Sequence, residues 1–386
     1  MVGSTIKKKM TTSGPGIPSQ SLITQYFITL KEPRRTTKGN FQYPLEEILF
    51  LTISSIISGW YEEWEDIIFF GENNLVWLRK FYPFENGIPS HDVLNKLFNR
   101  LNTKEFNNCF MKWVDSIASK SDGRVIAIDG KTIRGMASRF SDSKLHIVSA
   151  FCAKNELCLG QVKINSKSNE ITAIPELLDL IAIKGCIVTI DAMGCQREIA
   201  KKIIAKEADY ILMAKENQAE LKEQIEKVFR IQKSEMTDTQ EDFDHGRIEK
   251  RTCEVITKLD FLDTKENWAG LCSIIKITSE RTIKNTDIYS CETRFYISSL
   301  LCNAKLINNS IRSHWAVENN LHWCLDVIMK EDGQLNYIGN AAENMNMMKK
   351  MALGMLANEK SIKSSKARKM KKALLDESYR ELLLKV

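Results

Sequence analysis

The feature that most constrains the fold is the order of short apolar segments between residues 125 and 230. The first, residues 125–128, has the composition of a buried strand. Residues 145–152 and 157–164 follow it, and the four residues between them predict a hairpin turn. Helical and strand-like patterns then alternate: a helix near 173–183, a strand at 187–190, a helix near 196–207, a strand at 210–214 and a helix near 218–230. A hairpin followed by βαβ units predicts an α/β fold with a mixed sheet and helices on both faces.

The segments on either side of this core predict further units. Residues 22–119 have apolar residues at helical spacing, with a turn at 87–89 and Ser90 as the N-cap of the next helix, and predict an N-terminal helical domain. Residues 120–359 predict the α/β domain, in which residues 231–300 form a β-rich insertion and residues 307–360 a long helical region. The ends predict a disordered basic tail at 1–21 and a basic helix at 360–386.

Composition excludes several classes of protein. The chain has 386 residues, of which 43% are hydrophobic, enough for two or three domains with a core. No apolar run reaches the roughly 18 residues of a membrane span, and no secretory signal is recognisable. The ten cysteines include no CxxC pair and therefore predict reduced thiols in a cytoplasmic protein.

The charge is distributed unevenly along the chain. Residues 1–40 contain seven basic residues and one acidic residue, and residues 360–386 contain nine basic and three acidic residues. Because the whole chain carries +6, the segment between these ends is acidic. This pattern favours a polyanion bound by the ends, although basic tails that only interact with solvent would give the same pattern.

Two aspartates directly follow apolar strands. Asp129 follows residues 125–128, and Asp191 follows residues 187–190. Ligands bind outside the carboxyl ends of strands in open α/β sheets, so neighbouring strands would bring both carboxylates together. Such a pair repels unless a cation lies between its members, and hard oxygen ligands select Mg²⁺ or Mn²⁺. Alternatively, each aspartate is only a turn residue.

A later segment offers a third ligand. His314, Glu318 and His322 are spaced at intervals of four and share one side of a predicted helix. The spacing differs from that of HExxH zinc enzymes, and three ligands from one helix rarely complete a tetrahedron. Glu318 is therefore better interpreted as a third carboxylate for the aspartate pair. The acids Glu331 and Asp332 lie near a predicted helix end and are expected to face water.

Several motifs, in the same order, resemble bacterial insertion-sequence transposases of the H-repeat-associated (Rhs-associated) group. The resemblance covers residues 22–357, and its longest motifs lie at 125–135 (VIAIDGKTIRG), 188–196 (VTIDAMGCQ), 214–218 (AKENQ), 245–251 (HGRIEKR), 295–300 (FYISSL) and 312–326 (RSHWAVENNLHWCLD). The N-terminal region resembles the family's associated domain through residues 31–34 (KEPR) and 87–90 (GIPS).

The resemblance implies an RNase H-like catalytic fold and the cutting and joining of DNA at the ends of a mobile element. It implies an Asp129, Asp191 and Glu318 triad that binds two Mg²⁺ ions, for which Mn²⁺ can substitute. The implied partner is double-stranded DNA, both terminal inverted repeats and target, bound by a homodimer in the cytoplasm near the nucleoid. Candidate DNA-contacting residues are Lys131, Arg134, Lys215, Arg247, Arg251, Arg312 and His314.

The sequence departs from the wider class at positions around Glu318. Ile311 and Leu325 replace the Tyr and Lys expected seven residues before and after it, and His314 replaces an expected Arg. Two alternatives therefore remain open: a catalytically decayed DNA-binding remnant, and a metal-dependent nuclease that cuts without joining.

Overall fold

The structure is a computed structural model. It describes residues 22–37, 41–118, 124–133, 145–164, 169–244, 246–284, 286, 288–301, 303–333 and 340–385. The predicted disordered tail at 1–21 lies outside these residues, as does Arg134.

The described part of the chain starts with a group of helices, as predicted. They are α1 (Leu22–Tyr26), α2 (Leu45–Ile57), α3 (Trp64–Asn73), α4 (Leu75–Leu78), α5 (His91–Arg100) and α6 (Thr103–Ile117). Ser90 occupies the N-cap position of α5 as expected, but its side chain makes no capping hydrogen bond. The Asn102 side chain does cap α6, where it accepts hydrogen bonds from the backbone N–H groups of Lys104 and Glu105.

One mixed sheet dominates the rest of the chain, which confirms the predicted α/β class. Its strands are β1 (Val125–Ile133), β2 (Leu145–Cys152), β3 (Leu157–Ile164), β4 (Ile187–Ile190), β5 (Asp209–Ala214), β6 (Met236–Asp244), β7 (Arg247–Ile256), β8 (Ser273–Ile283) and β9 (Tyr289–Ser298). Their spatial order is β3-β2-β1-β4-β5-β9-β8-β7-β6. Strands β1, β4 and β5 are parallel, and every other described pair is antiparallel.

The β-rich segment continues this sheet. Strand β9 pairs with β5, and β8, β7 and β6 follow outward in antiparallel order. The sequence analysis missed β6, because its sequence MTDTQEDFD is rich in acids and poor in apolar residues. Pairing with β7 along the whole strand supplies the backbone hydrogen bonds that the composition did not indicate.

Helices cover both faces of the sheet. They are α7 (Glu170–Leu180), α8 (Arg197–Ala205), α9 (Ala219–Ile231), α10 (Ala304–His314) and α11 (Asn340–Asn358). Two further helices, α12 (Lys366–Leu375) and α13 (Glu377–Leu384), pack against other helices. Side chains of β4 alternate between two apolar clusters: Val188 packs in the cluster with α7 and α8, whereas Ile187 packs in the cluster with α10. By the two-residue period of a strand, Asp191 belongs to the face covered by α10.

The structure details the two helical predictions at the C-terminal end. In the helical region predicted over residues 307–360, α10 ends at His314, irregular helical turns follow, and α11 spans Asn340–Asn358. The predicted single basic helix at 360–386 is two helices that pack back on α2. Arg380 is 1% exposed, with its guanidinium 4.0 Å from the Trp77 ring centroid, so this segment is part of the fold and not a free basic appendage.

The helical region and the sheet share one hydrophobic core. A single cluster of buried apolar side chains includes Ile53 of α2, Phe110 of α6, Ile126 of β1 and Met351 of α11. Helix α11 lies between the two regions, since it contacts α2, α5 and α6 as well as β3. No helix in the described ranges is both long and apolar enough to cross a membrane.

Candidate active site

Asp129 lies where two strands separate. Strand β1 pairs with β4 only as far as Ile128 opposite Ile190. The prediction that β1 stops at Asp129 is wrong, because β1 continues to Ile133 along β2, with Asp129 opposite Ser149. Asp129 therefore remains paired with β2, but the pairing of β1 with β4 has already ended at this residue.

Asp191 follows the last paired residue of β4. Its Oδ1 accepts hydrogen bonds from the backbone N–H groups of Met193 at 3.1 Å and Gly194 at 3.4 Å, in a tight turn. A side chain on Gly194 would collide with Ile190, because a Cβ there would lie 2.2 Å from the Ile190 side chain. This turn holds the Asp191 carboxylate at the end of β4, beside Asp129.

Glu318 lies on an irregular stretch that follows α10. Residues Val317–His322 and Cys324–Ile328 form π-type turns, a geometry frequent at functional sites. Val317 and Leu321 are buried and anchor the first turn, while the Glu318 side chain is 52% exposed. The Glu318 side chain lies toward the strand ends, close to Asp129.

The structure brings Asp129, Glu318 and His322 together. His322 Nδ1 is 3.5 Å from Asp129 Oδ2 and 3.5 Å from Glu318 Oε2. One ligand atom from each of the three residues lies within 4.8 Å of the others. His322 was noted in the sequence only for its spacing and was not assigned a role, although the interval of four from Glu318 was the available signal.

The electrostatics of this group favour a cation. Burial, first, and then the nearby carboxylates of Glu318 and Asp191 together raise the pKa of Asp129 to about 8. A hydrogen bond with His322 lowers the pKa of Glu318. Two carboxylates and an imidazole suit a divalent cation, which would relieve the repulsion that raises the pKa of Asp129. Asp129, Glu318 and His322 could thus hold a metal ion, with Asp191 close enough to influence Asp129.

His314 occupies a different position from the one predicted for a DNA contact. Its Nδ1 is 3.1 Å from the Thr189 hydroxyl on β4. Burial lowers its pKa, so the neutral form is favoured near pH 7. The ring joins the end of α10 to β4 and thereby helps to fix the start of the segment that carries Glu318.

Lys131 lies in a second cluster of acids and not on an open surface. Its Nζ is 2.5 Å from Asp326, 2.8 Å from Glu331 and 4.0 Å from Asp332. Glu331 is 3% exposed and also accepts a hydrogen bond from Asn346 at 2.6 Å. The expectation that Glu331 faces water is therefore wrong, and Lys131 is an internal ion-pair partner in this structure.

The remaining predicted DNA-contacting cations differ in exposure. Lys215 and Arg247 are exposed and accessible to a phosphate. Arg312 is also exposed, but it forms an ion pair with Asp242. Arg251 is 7% exposed and lies 3.6 Å from Glu249, so it already has an acidic partner within the fold.

Comparisons with known proteins decide the family. Residues 120–355 match the family model described as "Transposase DDE domain", and residues 24–114 match the one described as "DDE_Tnp_1-associated". The chain belongs to the DDE transposase family. Its similarity to H-repeat-associated members places it in that group and confirms the resemblance found in the sequence.

Curated relatives match this chain along most of its length. It is 40% identical over 376 residues to "Putative transposase YncI" of Escherichia coli O157:H7, covering 95% of this chain and 94% of that protein. It is 39% identical to "H repeat-associated putative transposase YhhI" of Escherichia coli K12, covering 92% and 96%. A solved piggyBac transposase synaptic complex with hairpin DNA aligns with 94% of this chain and 77% of its own, at 11% identity and a TM-score of 0.44. That similarity is too weak to establish a shared fold.

Proposed function

We propose that this DNA transposase family member cuts and joins DNA strands at the ends of its own insertion element. The observation that carries the proposal is the convergence of Asp129 and Glu318 within one group of ligand atoms, beside Asp191 at the end of β4. The pKa of Asp129, raised to about 8, supports a site that requires a cation to hold its carboxylates in ionised form.

The proposed site binds Mg²⁺ through Asp129, Asp191 and Glu318, with His322 beside the first and third. When bound, divalent ions activate an attacking hydroxyl and stabilise the leaving oxygen in phosphodiester transfer. The residues of the chain fix the carboxylates in place. Backbone N–H groups hold Asp191, and Gly130 N–H donates to Asp129 Oδ1 at 2.9 Å. The His322 Nδ1 lies 3.5 Å from a carboxylate oxygen of both Asp129 and Glu318.

The sheet topology supports an RNase H-like catalytic unit. Strands β3-β2-β1-β4-β5 form an antiparallel set of three joined to two parallel strands. We place this unit and its β-rich insertion in the proposed domain 120–359, preceded by the helical domain 22–119. In the proposed complex with DNA the protein acts as a homodimer on the two ends of the element.

The test is incubation of the full chain with labelled duplex DNA that carries the flanking inverted repeats of its own element. We expect cleavage and joined products with Mg²⁺ or Mn²⁺ and neither with EDTA. Asp129→Asn should yield neither product, whereas a matched acid substitution at the exposed Glu266, Glu266→Gln, should yield both.

Other outcomes would contradict the proposal in distinguishable ways. Binding without cutting in any metal would identify a catalytically decayed remnant. Cutting without joined products would identify a metal-dependent nuclease.

A further inference from the structure

A basic groove lies in the N-terminal helical region, with residues 33–35 and 41–43 on one side and α5 on the other. It has a volume of about 670 Å³, and its walls include four cationic and two aromatic side chains: Arg34, Arg35, Lys96, Arg100, Phe41 and Tyr43. No carboxylate is among the described residues that line it. The acid cluster around Asp129 makes no use of this groove.

One wall of the groove is rigidly built. The Arg34 guanidinium donates through Nε and Nη2 to the two oxygens of Glu32, both at 2.7 Å. It also donates to the backbone carbonyl of Tyr43 and lies 5.1 Å from the Phe41 ring centroid. Arg34 thus neutralises Glu32 and links it to the backbone at Tyr43.

The other wall carries exposed cations. Lys96 and Arg100 are four residues apart on α5 and share one side of that helix. Both are exposed, as is Arg35 on the opposite wall. The nearby acid Asp92 lies 3.8 Å from Lys96, and both side chains are more than 60% exposed, so water screens that pair. The groove therefore presents an excess of positive charge to solvent.

We propose that this groove binds the phosphodiester backbone of double-stranded DNA while the acid cluster acts on the same molecule; this rests on the proposed function. Guanidinium and ammonium groups match phosphate oxygens, and a duplex presents one charge per roughly 1.7 Å of its axis. Several cations along one groove therefore suit a repeating polyanion better than a single small anion.

The test compares DNA affinity in EDTA, so that no cutting is involved. The variant is Arg35→Gln/Lys96→Gln/Arg100→Gln in the full chain, and fluorescence anisotropy is measured on a 30-base-pair terminal-repeat duplex and on an unrelated duplex of equal length. We expect affinity to fall by at least tenfold, and the slope of log K against log salt to become shallower by up to about 2.7. Loss of affinity for both duplexes indicates general contact with the DNA backbone. Loss of affinity for the terminal repeat alone indicates contact with the end of the element.

The matched control removes the same charge from exposed lysines elsewhere, as Lys201→Gln/Lys233→Gln/Lys265→Gln. The control variant should bind both duplexes with an affinity within about threefold of the wild type, and its slope of log K against log salt should be unchanged. If the groove variant, folded by circular dichroism, binds both duplexes as the control does, the proposal is wrong. A single Arg100→Glu change should also weaken binding, and Arg100→Lys should restore most of it. Because cutting is measured separately, failure of the acid cluster to cut would leave this binding result interpretable.

Discussion

Two neighbouring clusters of acids lie beside β1, one around Asp129 and one around Lys131. They differ in the cations that compensate their negative charge. Asp129 and Lys131 are two residues apart and therefore point to the same side of the strand. Around Asp129, the described residues supply no lysine or arginine ion pair, only His322. Around Lys131, Asp326 and Glu331 are paired with its ammonium group.

The pKa values express this difference. The pKa of Asp129 is raised to about 8 by burial and by its acidic neighbours. Burial also opposes ionisation of Glu331, but the charges of Lys131 and Lys349 and hydrogen bonds lower its pKa below the usual value. Acids that have a cation within the fold stabilise that fold, whereas acids that lack one are suited to bind a cation from solution.

The largest expected effect is on catalysis. Asp129→Asn, Asp191→Asn and Glu318→Gln should each reduce strand cleavage at least about 1000-fold, equivalent to ~4 kcal/mol of transition-state stabilisation. The reason is that each change removes charge from the metal site without changing side-chain volume. Initial rates on labelled terminal-repeat DNA give the measurement, and wild-type turnover in any one variant would remove that residue from the site.

The next largest effect is on stability, at the compensated cluster. Lys131→Met should lower the free energy of unfolding by roughly 3–5 kcal/mol, because it leaves buried Glu331 without its closest cation. Urea unfolding of the metal-free protein measures this loss. The double variant Lys131→Met/Glu331→Leu should lose less than the sum of the two single changes, and strict additivity would show that the two side chains do not interact.

A smaller effect is expected in the pH dependence of the metal-free protein. Because the folded pKa of Asp129 is raised from 3.8 to about 8, the folded state binds a proton that the unfolded state releases. The contribution of Asp129 to stability is therefore lost as pH rises from about 4 to 8. In thermal melts in EDTA, the melting temperature of Asp129→Asn should fall less steeply between pH 4 and 8 than that of the wild type. Identical dependence of the melting temperature on pH in the two proteins would contradict a raised pKa of Asp129.

The smallest effect is expected at an exposed pair beside the compensated cluster. Lys330 Nζ is 2.5 Å from Glu62, but these side chains are 59% and 48% exposed. Lys330→Gln should change the free energy of unfolding by less than about 1 kcal/mol. A loss as large as that of Lys131→Met would show that burial does not separate these ion pairs.

The sequence predicted the parts of the site that depend on local patterns. Asp129 and Asp191 each follow an apolar run, and parallel strand pairing places such residues side by side. Glu318 was selected over Glu331 and Asp332 by the family motif, and the structure places Glu318, not Glu331, beside Asp129.

Long-range partners could not be predicted in this way. Glu331 is buried because Lys131 lies 200 residues earlier in the chain, next to it in space. Glu318 lies in a π-type turn, and the spacing of residues in the sequence does not distinguish such a turn from a regular helix. The polar strand β6 is stabilised by pairing with β7, and the basic residue Arg380 is buried against Trp77. In both cases the local composition did not indicate the structure.

The central claim is that the uncompensated acids, and not the compensated ones, bind the divalent cation. It is tested most directly by Mn²⁺ titration of the DNA-free protein, with free Mn²⁺ followed by electron paramagnetic resonance. The wild type and Asp326→Asn, a variant of the compensated cluster, should bind Mn²⁺ with similar affinity, while Asp129→Asn and Glu318→Gln should lose at least tenfold in affinity. Undiminished binding by Asp129→Asn, together with loss of binding by Asp326→Asn, would contradict the account.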